Sequence, residues 1–330
     1  MKRPSYKIAL LAYEGALSAT LFAFRDLVLF ANMIASASGK AAIKVDVVSA
    51  KGGQVTLAGG TNTDTRCASG IQFDALVIPG FVFSQAQDLK QLLVGFNNEA
   101  LLIKRLHEKG TLIAANCVGT FLLGEAGLLD HRHVTTAWLF APKLSRYYPK
   151  ANVDAQHILL KDGNVMTTGA FTSMHDLAIA FIREHLGEKV AQQTQNLTLS
   201  AGVGENQNKF IDASLQPAKT SPFIDKIQNC LQQNLKNRYS LEYLAELMSV
   251  TPRTLMRRYK QQTQSTPLAY LQAIRIQQAK QLLVHSDLSV ERVAEEVGYQ
   301  DVNGFRRVFL REVGERPSEF RKSMGTKHSL

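Results

Sequence analysis

The sequence of 330 residues is poor in cysteine and has no long, uninterrupted run of apolar residues. Its three cysteines, Cys67, Cys117 and Cys230, lie far apart, and no two of them form a C-x-x-C pair. This spacing argues against a disulfide framework or a zinc site and is typical of a reducing, cytosolic compartment. We therefore predict a chain with no metal site and no cofactor.

Near the N-terminus, the apolar stretch from Ile8 to Ile34 is interrupted by charged and polar residues, namely Glu14, Arg25, Asp26 and Asn32. The shorter apolar segment Tyr6–Ala12 cannot span a bilayer, which needs about 20 residues. The sequence therefore predicts no transmembrane helix and no signal peptide. We expect a cytoplasmic protein without a membrane partner.

The net charge of +10 is unevenly distributed along the chain. From Phe223 onward there are 17 lysines and arginines against 11 aspartates and glutamates, whereas the longer preceding part has 21 against 17. A basic domain favours a polyanionic partner such as nucleic acid, because binding releases counterions. A basic surface that only maintains solubility is the alternative, and charge alone does not distinguish the two.

Strand-like and helix-like segments alternate over the first two hundred residues. The predicted strands are short apolar runs, as expected for strands covered on both faces: Tyr6–Ala12, Ile43–Ser49, Ala75–Ile78, Thr111–Ala115, His133–Thr136 and Val165–Thr168. Helical patterns lie between them, including Leu89–Glu108, Thr120–Gly127 and Asp176–Leu186. This alternation predicts an α/β domain over residues 1–200, with a flavodoxin-like, doubly wound and mostly parallel sheet.

Residues 201–222 have little periodicity and are rich in Gly, Asn, Gln, Ser and Lys, so we predict that they link two domains. Residues 223–330 are helical throughout and contain an internal repeat. Ser240–Glu246 matches Ser289–Glu295 at an offset of 49, and the pattern from Leu255 to Tyr270 recurs at an offset of 50. One repeat therefore has an extra residue in its turn.

Each repeat is predicted to form a helix, a tight turn and a second helix, with Ser240, Thr251, Ser289 and Asp301 at helix starts. The second helix of such a unit enters the major groove, where arginine binds guanine and asparagine binds adenine. The predicted DNA-binding residues are Arg253, Thr254, Arg257, Arg258, Asn303, Arg306, Arg307 and Arg311. Arg253, Thr254, Asn303 and Arg306 are favoured for base contacts. For Arg257, Arg258 and Arg311, a solvated or phosphate-facing role remains the alternative.

The segment from Gly298 to Arg321, GYQDVNGFRRVFLREVGERPSEFR, resembles the signature of AraC-type regulators. The resemblance covers roughly residues 223–323. It implies a transcription factor that binds double-stranded DNA with both helix-turn-helix units and acts together with RNA polymerase.

In the first domain, the segment from Thr111 to Leu123 is predicted to form a buried strand, a sharp turn at Cys117 and a helix. A cysteine at the start of a helix gains thiolate character from the helix field, as at the elbow of hydrolytic nucleophiles. The alternative is that Cys117 is only a small buried residue.

Three further segments, Asp74–Gly80, Glu125–Asp130 and Val134–Trp138, resemble the PfpI-like, class I glutamine amidotransferase-like superfamily. Together with the AraC-type end, they make roughly residues 5–323 similar to the GlxA family of regulators. Enzymes of the superfamily pair the elbow cysteine with a histidine, at positions where this chain has Val118 or Ala137.

Two more positions depart from the superfamily's pattern. Thr20 stands where a carboxylate is common, and Phe81 replaces a glycine beside the oxyanion site. A nucleophile needs a base within reach and a place for developing charge, so we predict that the domain is not an enzyme. The imidazoles that could still approach Cys117 in space are those of His131, His133 and His175.

We predict instead a ligand sensor and a homodimerisation platform. Ligands of open α/β sheets bind at the carboxyl ends of the strands, and the candidate residues there are Glu14, Gly80, Phe81, Cys117, Val118, Ala137 and Trp138. The GlxA resemblance implies a small nitrogenous effector such as an amino acid or a quaternary amine. Trp138, Phe81 and Phe83 form either an aromatic wall for a cation or part of the core.

The sequence thus predicts a ligand-responsive transcriptional regulator, and the family resemblance favours an activator. The rival hypothesis is a Cys117-dependent hydrolase or aldehyde-processing enzyme with an accessory DNA-binding tail. A third hypothesis is redox sensing through Cys117.

Overall fold

The computed structural model describes residues 5–36, 42–83, 88–200, 207, 221–263 and 265–325. The chain forms two compact units, Met1–Gln207 and Asn208–Leu330. Most of the predicted connection, residues 201–222, lies outside the described residues. Within that range, Gln207 is buried in the first unit and Pro222 begins the first helix of the second.

The first unit is built on an eight-stranded sheet with the order β3-β4-β2-β1-β5-β6-β10-β9. The strands of the unit are β1 Lys7–Leu11, β2 Lys44–Ser49, β3 Gly53–Thr56, β4 Asn62–Cys67, β5 Ala75–Ile78, β6 Leu112–Asn116, β7 His133–Val134, β8 Asn152–Val153, β9 Leu159–Asp162 and β10 Val165–Thr168. The six central strands are parallel, and only β3 and β9 are antiparallel to their neighbours. The core order β2-β1-β5-β6-β10 is that of flavodoxin-like sheets, which confirms the predicted fold.

Seven helices of the first unit are described: α1 Ser18–Ser36, α2 Leu89–Gly95, α3 Asn97–Glu108, α4 Thr120–Glu125, α5 Ala141–Tyr147, α6 Ser173–Leu186 and α7 Glu188–Thr198. By length and composition alone, α1 is apolar enough to cross a membrane. Its Leu21, Phe24 and Val28 are nevertheless buried in the core of the unit. A core helix of a globular domain has the same properties.

The structure corrects three sequence predictions in the first unit. The single helix predicted over Leu89–Glu108 is divided at Phe96, next to Gly95, which is a poor helix former. The predicted strand His133–Thr136 shrinks to β7, which pairs with β8 outside the main sheet. Strands β3, β4 and β9, toward the two ends of the sheet, were missed because none of them is a continuous apolar run.

The second unit consists of helices, and those described are α8 Pro222–Gln233, α9 Leu241–Leu247, α10 Pro252–Thr263, α11 Pro267–His285, α12 Val290–Glu296, α13 Val302–Val313 and α14 Pro317–Gly325. Each helix-turn-helix unit has its own apolar cluster, one around Leu255 and Tyr259 and one around Phe305, Phe309 and Phe320. All five side chains are buried, as the sequence predicts.

The predicted helix caps are present in both repeats. The hydroxyl of Ser240 accepts the backbone N–H of Tyr243 at 3.1 Å, and that of Ser289 accepts the N–H of Arg292 at 3.2 Å. These caps satisfy donors that the helices leave unpaired at their first turns. The repeat in the sequence is therefore a repeat in the structure.

The Arg275 guanidinium connects the two helix-turn-helix units. Arg275 lies on α11 and is only 8% exposed. Its Nε donates to Leu235 O at 2.9 Å and its Nη2 to Asn237 O at 2.7 Å, just beyond α8. Its Cζ lies 5.4 Å from the centre of the Tyr299 ring, which is in the turn of the second helix-turn-helix. One side chain thus joins α8, α11 and the second turn.

The two turns place equivalent residues in the left-handed backbone region: Ser249, with φ of 51°, and Gly298, with φ of 85°. Glycine adopts this conformation at no steric cost, whereas other residues are strained by about 1–2 kcal/mol. A Cβ at position 298 would also lie 2.8 Å from Leu235 O and from Arg275 Nη2. The second turn therefore requires glycine, and the first only tolerates serine.

We expect opposite effects from changing these two residues. Gly298→Ala should lower the free energy of unfolding of the second unit by at least about 2 kcal/mol, through backbone strain and displacement of Arg275. Ser249→Gly should raise it by up to about 1 kcal/mol. Urea unfolding of the full chain measures both. Equal effects of the two substitutions would contradict this account of the turns.

Candidate functional site

Cys117 occupies a sharp elbow between β6 and α4. Its backbone is left-handed, with φ of 56°, an uncommon conformation for a residue other than glycine. Gly119 allows the elbow to approach β5 closely, since a Cβ there would lie 2.6 Å from Pro79 O. The strand-elbow-helix prediction is confirmed.

Two threonines hold the elbow through its carbonyl oxygen. The Thr136 hydroxyl donates to Cys117 O at 2.7 Å, and the Thr120 hydroxyl lies 3.1 Å from the same atom. All three residues are buried, so the elbow cannot move without leaving hydrogen-bonding groups unpaired. This bonding stabilises the left-handed conformation.

The Cys117 thiol lies in an environment that opposes ionisation. Burial raises the pKa of this thiol to about 11, and the backbone N–H of Val118 lowers it only in part. A thiolate is the reactive form of cysteine, so at neutral pH this side chain is a poor nucleophile. The field of the short helix α4 does not compensate for desolvation.

None of the candidate histidines approaches this thiol to hydrogen-bonding distance within the described residues. His131 and His133 are exposed, and the Nδ1 of His175 lies 3.1 Å from Thr172 O in its own helix start. Thr20, at the carboxylate position of related enzymes, donates its hydroxyl to Leu17 O. A catalytic base beside Cys117 is thus not found in the part of the chain that the structure describes.

Three of the predicted ligand residues lie together at the elbow. A Cβ on Gly80 would come within 3.2 Å of Cys117 Cβ and 3.5 Å of Val118 Cγ2. Ala137 is buried and follows Thr136, which is bonded to the elbow. Glu14, by contrast, is exposed, and its Oε1 accepts the N–H of Thr56 at the end of β3.

The aromatic side chains near this edge pack with one another. Phe81 is buried, and its ring centre lies 5.2 Å from that of Phe96. Phe83 lies 4.8 Å from Phe140, and the Lys143 ammonium already lies 5.0 Å above the Phe83 ring. This favours the core-packing alternative for Phe81. Trp138 is half-buried at the start of a short 3₁₀ turn.

Tyr13 belongs to the segment 12–15 after the first strand, which the sequence offers as part of the ligand edge without a separate role for this residue. Tyr13 is fully buried, and its hydroxyl donates to Pro79 O at 2.5 Å. Burial, with Cys117 and Glu99 nearby, holds the pKa of its phenol well above the usual range. The only signal in the sequence was the position of Tyr13 directly after the first strand.

We expect Cys117 to react slowly with thiol reagents. In a Cys67→Ser/Cys230→Ser variant, which retains only Cys117, labelling by Ellman's reagent at pH 8 should be at least about 100-fold slower than in the unfolded chain. A pKa near 11 leaves roughly a hundredth of the thiolate that an ordinary pKa of 9 would give. Stopped-flow absorbance measures the rate, and equally fast labelling of the folded and unfolded chains would refute the buried-thiol description.

The other candidate site consists of the second helices of the two repeats, α10 and α13. On α10, Arg253, Arg257 and Arg258 are exposed, while Leu255 and Tyr259 face the core. The Arg258 guanidinium lies 4.0 Å above the Phe223 ring, a contact that directs it toward α8. Thr254 is half-buried, and its hydroxyl accepts a hydrogen bond from Thr251 in the helix cap.

On α13, Asn303, Arg306, Arg307 and Arg311 are exposed. Arg306 forms an ion pair with Glu291 at 2.6 Å, and Arg311 forms one with Glu312 at 2.6 Å. Exposed pairs of this kind contribute about 0–1 kcal/mol and are easily exchanged for another anion. Both helices therefore present cations on the face opposite their apolar cores.

The described residues contain no cluster of three or more His, Cys, Asp or Glu side chains that could hold a metal ion. Among the described residues, neither candidate site therefore includes such a cluster.

Comparison with known families assigns most of the chain to two models. A model of the DJ-1/PfpI family matches residues 23–184, and a model of a helix-turn-helix domain matches residues 244–323. The structure divides the chain after Gln207, within the stretch 185–243 that separates the two matches.

Two curated relatives are similar at 28% identity. The HTH-type transcriptional regulator GlxA of Rhizobium meliloti (strain 1021) matches over 225 residues, which are 68% of this chain and 69% of the relative. The HTH-type transcriptional activator RhaR of Escherichia coli (strain K12) matches over 155 residues, 44% of this chain and 55% of the relative.

Among solved structures, a protein from Vibrio parahaemolyticus superposes with a TM-score of 0.50 at 20% sequence identity. The superposition covers 59% of this chain and 99% of the other. At this identity, the likeness shows the fold alone, and it agrees with the flavodoxin-like sheet of the first unit.

Proposed function

We propose that this chain, which joins a domain of the DJ-1/PfpI family to a helix-turn-helix domain of the AraC type, is a transcriptional regulator controlled by a small molecule. DNA binding belongs to the second unit and ligand sensing to the first. The relatives named as a transcriptional regulator and a transcriptional activator support this assignment.

One observation carries the DNA-binding part of the proposal. The second helix of each repeat buries its apolar side chains and presents exposed cationic or amide side chains, among them Arg253, Asn303 and Arg306. Helices in this position of a helix-turn-helix enter the major groove. The Arg275 contacts support a fixed spacing of the two helix-turn-helix units on a duplex.

We assign no catalytic role to the first domain. Support comes from the raised pKa of Cys117 and from the lack of a histidine bonded to it among the described residues. The left-handed backbone at Cys117 favours the rival hypothesis of a Cys117-dependent enzyme, because it preserves the elbow of such enzymes. Retention of ligand response by Cys117→Ala, with no turnover by either form, would reject the rival.

The proposal includes a cytoplasmic homodimer that acts on RNA polymerase, with a small nitrogenous effector bound at the carboxyl edge of the sheet near Gly80, Cys117 and Val118. In support of a dimer, α1 leaves Leu29, Phe30 and Met33 exposed on one side of the helix, at 55%, 38% and 63%. Exposed apolar groups of this size mark interaction surfaces when they are contiguous. The effector regulates only if it binds two arrangements of the chain with different affinity.

Substituting one arginine on each second helix tests the DNA-binding part. Arg253→Ala and Arg306→Ala should each weaken binding of a selected duplex by roughly 1–3 kcal/mol, with little effect on random DNA, because each removes a base contact. Fluorescence anisotropy with labelled duplexes measures both affinities.

The matched control is Arg105→Ala, which removes the same charge from an exposed position on α3 in the first unit. It should leave both affinities unchanged. Equal losses on specific and random DNA would show that Arg253 and Arg306 contact phosphates and not bases. No loss on either duplex would remove the two helices from the DNA interface.

A further inference from the structure

Gln207 fills a polar cavity in the first unit. It lies beyond the end of α7, and only 3% of its surface is exposed. Its backbone N–H donates to Gln156 O at 2.6 Å, which fixes the main chain beside the loop before β9. Its side chain points inward to the carboxyl end of β10. A flexible polar side chain buried to this degree needs a specific set of partners.

The cavity surrounds the Gln207 amide nitrogen with oxygen atoms. Nε2 lies 3.0 Å from Thr136 O, 3.1 Å from both Ala155 O and His157 O, and 3.3 Å from Thr135 Oγ1. The Thr135 hydroxyl donates its hydrogen to His157 O at 2.8 Å. Toward Nε2 it can therefore act only as an acceptor. An amide nitrogen has two hydrogens for these four acceptors. The site therefore has more acceptors than its present occupant can satisfy.

The opposite wall supplies one donor and a close contact. The Ala170 N–H donates to Gln207 Oε1 at 3.1 Å. A Cβ on Gly169 would lie 2.4 Å from Gln207 Cδ, so the cavity exists in this form only because residue 169 is glycine. The cavity therefore combines an oxygen-rich wall with one N–H donor, a polarity that fits a small head group which donates N–H bonds.

This cavity is bonded to the elbow by two routes. Thr136 accepts from Gln207 with its carbonyl oxygen and donates to Cys117 O with its hydroxyl. Ala170 donates to Gln207 with its N–H and accepts from Asn116 Nδ2, at 3.3 Å, with its carbonyl oxygen. Asn116 directly precedes Cys117, and its Oδ1 is buried without a hydrogen-bond partner. Two short chains of hydrogen bonds therefore connect the cavity to the elbow segment.

We propose that this cavity binds a small molecule with a primary ammonium or primary amide head, and that Gln207 is its displaceable intramolecular occupant. An ammonium group has three N–H donors for the oxygen-rich wall, whereas a primary amide has two and also accepts the Ala170 N–H. Displacement of Gln207 changes the hydrogen bonds at Thr136 and Ala170, the two residues that are bonded to the elbow segment. The binding site is independent of the proposed function. Its regulatory consequence, a change in the affinity for DNA, rests on the proposed function.

Rescue of a cavity variant by a small molecule tests the binding site. In the full chain, Gln207→Ala removes the CH₂–CONH₂ group and should lower the Tm by about 5 °C, because buried polar groups lose their partner. Acetamide replaces the missing atoms, and ethylammonium chloride supplies the cationic head. Both should raise the Tm of Gln207→Ala with saturation, and they should raise that of the wild type only at higher concentrations, because Gln207 competes for the cavity.

Two controls make the rescue specific. Gln193→Ala changes an exposed glutamine on α7 and should neither lower the Tm nor change the response to acetamide from that of the wild type. Tetramethylammonium has the charge but no N–H, and it should fail to rescue Gln207→Ala. The proposal is overturned if acetamide and ethylammonium act on Gln207→Ala no more than on Gln193→Ala, or if tetramethylammonium rescues equally well.

If Gln207→Ala does not fold, hydrogen exchange of the wild-type chain answers the same question. Propionamide at high concentration should increase exchange at the Gln207 N–H while the segment 154–158 stays protected. Unchanged exchange at Gln207 would overturn the proposal.

The regulatory consequence has its own readout. The affinity of Gln207→Ala for a selected duplex should differ from that of the wild type, and acetamide should restore it. Rescue of the Tm without any change in DNA affinity would overturn the regulatory part and leave the binding site standing. A chain that binds no specific duplex at all would contradict the proposed function, while the Tm measurements would still decide on the cavity.

Discussion

Backbone carbonyl oxygens at the ends of strands and helices must find donors, and in both units a few buried side chains supply them. Arg275 does so for Leu235 and Asn237, beyond the end of α8. The Thr136 hydroxyl donates to Cys117 O, and the Gln207 amide donates to Thr136 O. A buried carbonyl without a donor costs about 1–3 kcal/mol. The positions of these donors therefore decide which elements are held together and which backbone shapes persist.

In the first unit, this bonding holds a sharp elbow around a buried thiol. The left-handed turn at Cys117 is retained by the two threonines and by Gly119, yet burial raises the pKa of the thiol to about 11. Cys117 thus has the backbone geometry of a nucleophile, but its thiol is not ionised at neutral pH. The same edge of the sheet holds an oxygen-rich cavity. The same backbone groups, through Thr136, therefore shape both the elbow and the cavity.

The sequence predicted the elements whose residues follow a regular apolar pattern. The parallel core of the sheet, the two helix-turn-helix units and their buried residues were predicted because periodicity and capping report on them directly. Strands β3, β4 and β9, toward the two ends of the sheet, lack this signal. Of the candidate ligand residues, Gly80, Cys117 and Val118 come together, whereas Glu14 is bonded to Thr56. The sequence placed Gln207 in a linker because of the composition of residues 201–222. Long-range hydrogen bonds such as those of Gln207 leave no pattern in the local sequence.

The central claim is that two helix-turn-helix units at a fixed spacing read one duplex. The most direct measurement takes a duplex selected from random DNA by the full chain and inserts one base pair between its two preferred segments. Each insertion moves the segments apart by about 3.4 Å and rotates them about the duplex axis. Because Arg275 and α11 fix the spacing, the account predicts at least a tenfold loss of affinity. An affinity that tolerates the insertion would show that only one unit reads DNA and would contradict the account.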